Sequence, residues 1–153
     1  MLQELPLQVT FREKWNDPNL IYSESDYPVK FVSVPRGNSS YQVWKPDTFF
    51  QNELSGYKHG LDTVNELTRI YPNGDVLYSV RLSLVVSCPM SFILFPFDTQ
   101  TCTIDFASYA YTTDDIIYTW KDNYPIQMRS GLSLPSFEIS DTLSSRCTSK
   151  TNT

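Results

Sequence analysis

The chain has 153 residues, 41% of them hydrophobic and 14% aromatic, with a formal net charge of -5. That length suits one domain with a sizeable core, spanning residues 1–153, and the composition excludes a disordered chain. The acidic balance argues against nucleic acid or an anionic membrane surface as partner. No stretch approaches the roughly 18 apolar residues of a membrane helix, and no signal peptide opens the chain.

Leu7, Val9 and Phe11 alternate with Gln8, Thr10 and Arg12, the period of a half-buried strand. Asn16-Asp17-Pro18-Asn19 is turn chemistry and predicts that this strand ends near Trp15. Asn38-Ser39-Ser40 is a glycosylation sequon in a polar, turn-like stretch, which favours an extracellular setting for Asn38. Tyr71-Pro72-Asn73-Gly74-Asp75 signals a hairpin turn. In the strand that follows, Val80, Leu82, Leu84, Val86 and Cys88 share one face, and Ser79, Arg81, Ser83, Val85 and Ser87 the other. A third strand is predicted from about Thr101 to Phe106, with Cys102, Ile104 and Phe106 on one side. Ten prolines and five glycines punctuate short segments, and no long helical period competes with them. The expected class is all-β, most simply an immunoglobulin-like sandwich.

Cys88 and Cys102 enclose thirteen residues, Pro89 to Thr101, whose interior is mostly apolar and whose tip reads Phe95-Pro96-Phe97-Asp98. A disulfide across that ring would remove unfolded-chain entropy worth roughly 3 kcal/mol. An apolar loop at a surface is built to press against something. Totals alone would read as cytosolic, but this cysteine pair argues for an oxidising compartment. Cys147 is left over, as a free thiol or with a partner not shown, and the second is favoured because the chain stops without a terminating signal and reads as a fragment.

Material for catalysis is scarce. One histidine, His59, cannot furnish a zinc site or a triad and reads as a solvated loop side chain. Asp114-Asp115 follows Thr112-Thr113 and reads as a turn, and no phosphate-cradling glycine motif occurs. Trp15, Trp44 and Trp120 are too dispersed for a ligand cage and read as core. The expectation is a protein without enzymatic activity, cofactor or metal.

The ring with its Phe-Pro-Phe-Asp tip resembles the defining loop of the Cys-loop family of pentameric ligand-gated ion channels. Four further stretches resemble that family in the same order. Phe11-Arg12-Glu13-Lys14-Trp15 resembles the strand carrying ligand contacts on the complementary side of a subunit interface. Trp44-Lys45-Pro46-Asp47-Thr48-Phe49-Phe50 resembles the first principal-side binding loop, and Ala107-Ser108-Tyr109-Ala110-Tyr111-Thr112 the second. Arg69 to Gly74 leading into Tyr78-Ser79-Val80-Arg81-Leu82 resembles the strand pair that completes the complementary side. Leu134-Pro135-Ser136-Phe137-Glu138 and the run from Cys147 to Thr153 are similar to invertebrate glutamate-gated chloride channels, which carry a second disulfide near the third principal loop.

The resemblance implies a partial extracellular ligand-binding domain, incomplete at both ends, in a pentamer of homologous subunits at the plasma membrane, on the postsynaptic side. Its membrane-spanning part would lie outside this chain. It also implies a site for L-glutamate between subunits. Arg12 and Ser79 of one subunit would hold a carboxylate, and Phe49, Ser108 and Tyr109 of the next would receive the ammonium. Phe95, Pro96, Phe97 and Asp98 would pass the binding event to the pore. Receptors for glycine and γ-aminobutyrate generally place a glutamate where Ala107 stands, and an acid there would repel a second ligand carboxylate. Glycine-, γ-aminobutyrate-, histamine- and proton-gated anion channels remain alternatives, as does a soluble binding protein of the same fold. An adhesion-type sandwich fits less well, because its disulfide spans many more residues.

Overall fold

The computed structural model describes residues 2–35, 42–132, 134 and 137–148. The Asn38 sequon, and parts of the Leu134–Glu138 and Cys147–Thr153 runs, lie outside them. The chain forms two compact units, Met1–Ala110 and Tyr111–Thr153, and all named strands belong to the first. No α-helix occurs among the described residues, and none is long and apolar enough to cross a membrane.

Seven strands follow in chain order: β1 (Leu2–Asn16), β2 (Val32–Ser33), β3 (Thr48–Phe50), β4 (Glu53–Lys58), β5 (Glu66–Ile70), β6 (Asp75–Pro89) and β7 (Phe106–Ser108). In the larger sheet the order is β1-β6-β5-β2, with β4 also pairing to β6. β1 and β6 run antiparallel over their full lengths, from Leu2 opposite Pro89 to Asn16 opposite Asp75. On the other edge of β6, β5 covers Val76 to Val80 and β4 covers Leu82 to Val86. β3 and β7 make the smaller antiparallel sheet.

Alternation in β1 and β6 decides which face is covered. Val76, Tyr78, Val80, Leu84, Val86 and Cys88 are buried. Their register partners in β1 include Leu5, Leu7, Phe11 and Trp15, so these residues share the inward face. Phe11 packs edge-on against Phe50 of β3 and Phe106 of β7, with ring centroids 5.4 and 5.6 Å away. Phe50, Leu84 and Val86 form the buried cluster, with Leu5, Leu7, Val9 and Leu82 packed around it. Each fully buried side chain of this size is worth about 1.5–3 kcal/mol. The two sheets therefore face each other across an apolar core, as in a β-sandwich.

β1 ends where turn chemistry predicts. Asp17 caps a short 3-10 helix at Pro18–Leu20, its carboxylate accepting from the Asn19 amide at 3.0 Å. The β5–β6 hairpin closes through Pro72-Asn73-Gly74, with the Gly74 amide donating to the Tyr71 carbonyl at 2.9 Å. Only Gly74 takes the left-handed conformation there, at φ 82°, so Asn73 of the Asn-Gly pair does not need it.

The third predicted strand is corrected. Residues 101–105 form no strand, and β7 begins only at Phe106. The Asn52 side chain replaces a ladder partner: its amide donates to the Thr103 carbonyl at 2.9 Å and its oxygen accepts from the Asp105 amide at 3.1 Å. One side chain satisfies backbone groups that a neighbouring strand would otherwise have paired.

In the second unit, Thr112 to Asp115 is the predicted turn, with the Thr112 hydroxyl donating to the Asp115 carboxylate at 3.2 Å. Trp120 Nε1 donates to the Ser145 carbonyl at 2.9 Å, and Cys147 is an exposed thiol.

Candidate functional site

Arg12 and Ser79 are 67 positions apart in sequence yet directly opposite each other in the β1–β6 ladder. Phe11 and Val80, the next pair, point into the core, so Arg12 and Ser79 point away from it. Arg12 is exposed. Ser79 is only 9% exposed, because it sits mid-sheet with Arg12 on one side and Leu67 of β5 on the other. Ser83 lies further along the same face, and its hydroxyl is bonded to His59 Nε2 at 2.7 Å. His59 is thus no free solvated side chain: Gln8 Nε2 contacts the same nitrogen at 3.1 Å, and Arg81 donates to Gln8 Oε1 at 2.8 Å.

Phe49, Ser108 and Tyr109 come together on the smaller sheet. Phe49 opposes Ala107 and Thr48 opposes Ser108 in the β3–β7 ladder. Phe50 and Phe106 point inward, so alternation turns Phe49 and Ala107 outward. The Phe49 and Tyr109 rings meet edge-to-face, 5.7 Å apart at 82°, and Tyr109 is 82% exposed.

Asp47 organises this group, a part sequence reasoning missed. Its carboxylate accepts from the Ser108 hydroxyl at 2.5 Å and from the Ala110 amide at 2.6 Å, while its carbonyl accepts from the Tyr109 amide at 3.3 Å. Those donors, the Ser108 hydroxyl foremost, hold the Asp47 carboxyl below its ordinary range against the effect of burial. Three consecutive residues are therefore tied to one acid. The only hint in the sequence is an Asp directly before a strand.

The two groups, Arg12 with Ser79 and Phe49 with Tyr109, face outward from different sheets with the core between them. A single copy of the chain cannot close them around one small molecule. A groove of about 540 Å³ lined by Lys14, Lys30, Tyr71 and Leu77 lies one step along the Arg12 face and includes none of the four. No cluster able to hold a metal ion occurs among the described residues.

Cys88 and Cys102 are joined by a disulfide with Cα atoms 5.2 Å apart. Gln100 closes the ring further, its amide pairing with the Ser91 backbone at 2.6 and 3.2 Å. Ile93, Leu94, Phe95 and Phe97 are 65–91% exposed, whereas Asp98 is half-buried. Four large apolar side chains at one tip make a surface suited to contact, not to water.

A two-sheet sandwich carrying a short disulfide ring with an apolar tip, and clusters of polar and aromatic residues on its outer faces, defines a ligand-binding module of the Cys-loop type. The profile of the neurotransmitter-gated ion-channel ligand binding domain matches residues 1–153, and the chain belongs to that family. It is 42% identical over 150 residues to a glutamate-gated chloride channel of Drosophila melanogaster, covering 98% of this chain and 32% of that protein. It is 44% identical over 155 residues to a glutamate-gated chloride channel subunit beta of Haemonchus contortus, covering 98% and 35%. The chain thus spans about a third of the length of these curated relatives. The family is one of receptors, not enzymes.

Proposed function

We propose that this chain is the extracellular ligand-binding part of a glutamate-gated chloride channel subunit, working in a pentamer of homologous subunits at the plasma membrane of a postsynaptic cell. The observation that carries this reading is the outward placement of Arg12–Ser79 and Phe49–Tyr109 on different sheets. Two copies side by side would bring one group from each to a shared pocket.

In that pocket the planar Arg12 guanidinium offers two parallel donors to a carboxylate, and the Ser79 hydroxyl one more. The Phe49 and Tyr109 ring faces, with the Ser108 backbone carbonyl, accept the ammonium. The Ser108 hydroxyl is committed to Asp47. Ala107, paired with Phe49, puts no acid beside the second carboxylate, which favours glutamate over glycine or γ-aminobutyrate. Agonist then favours the open channel by binding it more tightly than the closed one. The tip at Phe95, Pro96, Phe97 and Asp98 passes the change to the membrane-spanning part of the full-length subunit.

The test is to express the full-length subunit in oocytes and compare currents evoked by glutamate, glycine, γ-aminobutyrate, histamine and acid. Glutamate should open a chloride conductance. A conductance opened only by another agonist would overturn the ligand, and no conductance in any subunit combination would overturn the channel reading.

A further inference from the structure

Glu13 breaks the pattern of β1. Leu5, Leu7, Val9, Phe11 and Trp15 occupy its inward row, and Glu13 places a half-buried carboxyl among them, opposite Tyr78. A carboxylate taken out of water needs compensation. It comes from the other sheet, where the Thr48 hydroxyl donates to Glu13 Oε1. Burial pushes the Glu13 carboxyl up, that hydrogen bond pulls it down, and nearby Asp47 adds an upward push.

The sequence neighbours of the bonded pair give the contact its meaning. Glu13 directly follows Arg12, and Thr48 stands between Asp47 and Phe49 and pairs with Ser108. Side chains alternate along a strand, so Arg12 and Phe49 look outward from opposite sheets while Glu13 and Thr48 meet between them. The apolar contacts beside them, Phe11 with Phe50 and Phe106, hold the sheets together without fixing direction. A hydrogen bond to a carboxylate is directional and strong.

We propose that Glu13 is a positioning residue: through Thr48 it ties the two half-sites of one subunit into a single unit. Agonist captured by Arg12 at one interface then sets the geometry of Phe49, Ser108 and Tyr109 at the other. Passed from subunit to subunit around a ring, this tie makes binding cooperative. The inference rests on the pocket proposed above but not on which agonist fills it.

The test uses the full-length subunit under voltage clamp, with whichever agonist opens it, and surface labelling to count receptors. Thr48→Val removes the donor, Glu13→Ala the acceptor, and Glu13→Gln keeps an acceptor oxygen without the charge. Thr48→Val and Glu13→Ala should each lower the Hill coefficient toward one and raise the half-maximal concentration about fivefold or more. Their combination should be no worse than the worse single change, and Glu13→Gln should keep most of the Hill slope. A packing role alone would change receptor number and leave the slope alone.

Unchanged slopes in Thr48→Val, additive shifts, or a wild-type slope of one would overturn the tie. Should Glu13→Ala fail to reach the surface, Thr48→Val and Glu13→Gln carry the comparison. If glutamate evokes no current but another agonist does, and Thr48→Val still flattens the slope for that agonist, the ligand assignment fails and the tie stands.

Discussion

Arg12 and Ser79 stand opposite each other on neighbouring strands, facing away from the core, although 66 residues of chain separate them. An antiparallel pair on one face holds two side chains close enough to serve one ligand group. Arg12→Ala should raise the half-maximal glutamate concentration about 10- to 100-fold, as expected for losing a hydrogen bond to a charged group. Arg12→Lys should recover only part of this, since an ammonium cannot bind two oxygens in parallel. Concentration–response curves with matched surface expression would check both, and an unshifted Arg12→Ala curve would remove Arg12 from the site.

Asp47 holds Ser108, Tyr109 and Ala110 through three contacts. Asp47→Asn keeps a neutral oxygen for the Ala110 amide and offers the Ser108 hydroxyl only an N–H to accept from, so both charge-assisted bonds are weakened and one reverses direction. Agonist sensitivity should fall on the order of tenfold while the protein still folds. Ser108→Ala removes only the hydroxyl bond and should cost less. Equal sensitivity in all three receptors would show that the Tyr109 position does not depend on this acid.

Asp75 and Glu13 should respond to pH in opposite senses. Lys14 contacts Asp75 at 2.7 Å, and with Asn16 and Asn73 it lowers the Asp75 carboxyl to about 2. The folded state therefore binds this proton less readily than the unfolded chain, whose aspartates titrate near ~3.9. Its contribution to stability is present above that value and is lost as pH falls toward 2. Burial raises Glu13 instead, so its folded form gains stability as pH falls. Thermal melting from pH 7 down to 2 should show a shallower acid loss in Asp75→Asn. Glu13→Gln should show a flatter profile above pH 4.

Gly74 takes φ 82°, and a Cβ there would sit 2.6 Å from the Asp17 carbonyl oxygen. The Asp17 amide donates to the Gly74 carbonyl at 2.9 Å, so this approach also ties the end of β1 to the hairpin. Gly74→Ala should cost at least about 1–2 kcal/mol from the backbone conformation alone, read as a lower urea midpoint with an unchanged slope. An unaltered midpoint would mean that the hairpin relaxes freely.

Local periodicity assigned the faces of β1 and β6 correctly, because each residue's side is set by the pleat and not by its partners. The Pro72–Gly74 turn and the Cys88–Cys102 ring were readable for the same reason: both depend on residues near in sequence. The expected strand at 101–106 was not, since Cys102, Ile104 and Phe106 alternate as a strand would while Asn52, about a third of the chain away, takes up the backbone groups. Ser79 faces as expected but is nearly covered, because burial mid-sheet depends on both neighbours.

From the residues alone came the all-β class, the Cys88–Cys102 ring and the faces on which Arg12 and Ser79 lie. Only the tertiary structure decided that Arg12 meets Ser79, that Asp47 anchors three residues past position 107, and that Glu13 reaches Thr48 across the core. Those are pairings between distant segments, and the register and sheet packing that create them come from the summed burial of the whole core, which no short window of sequence contains.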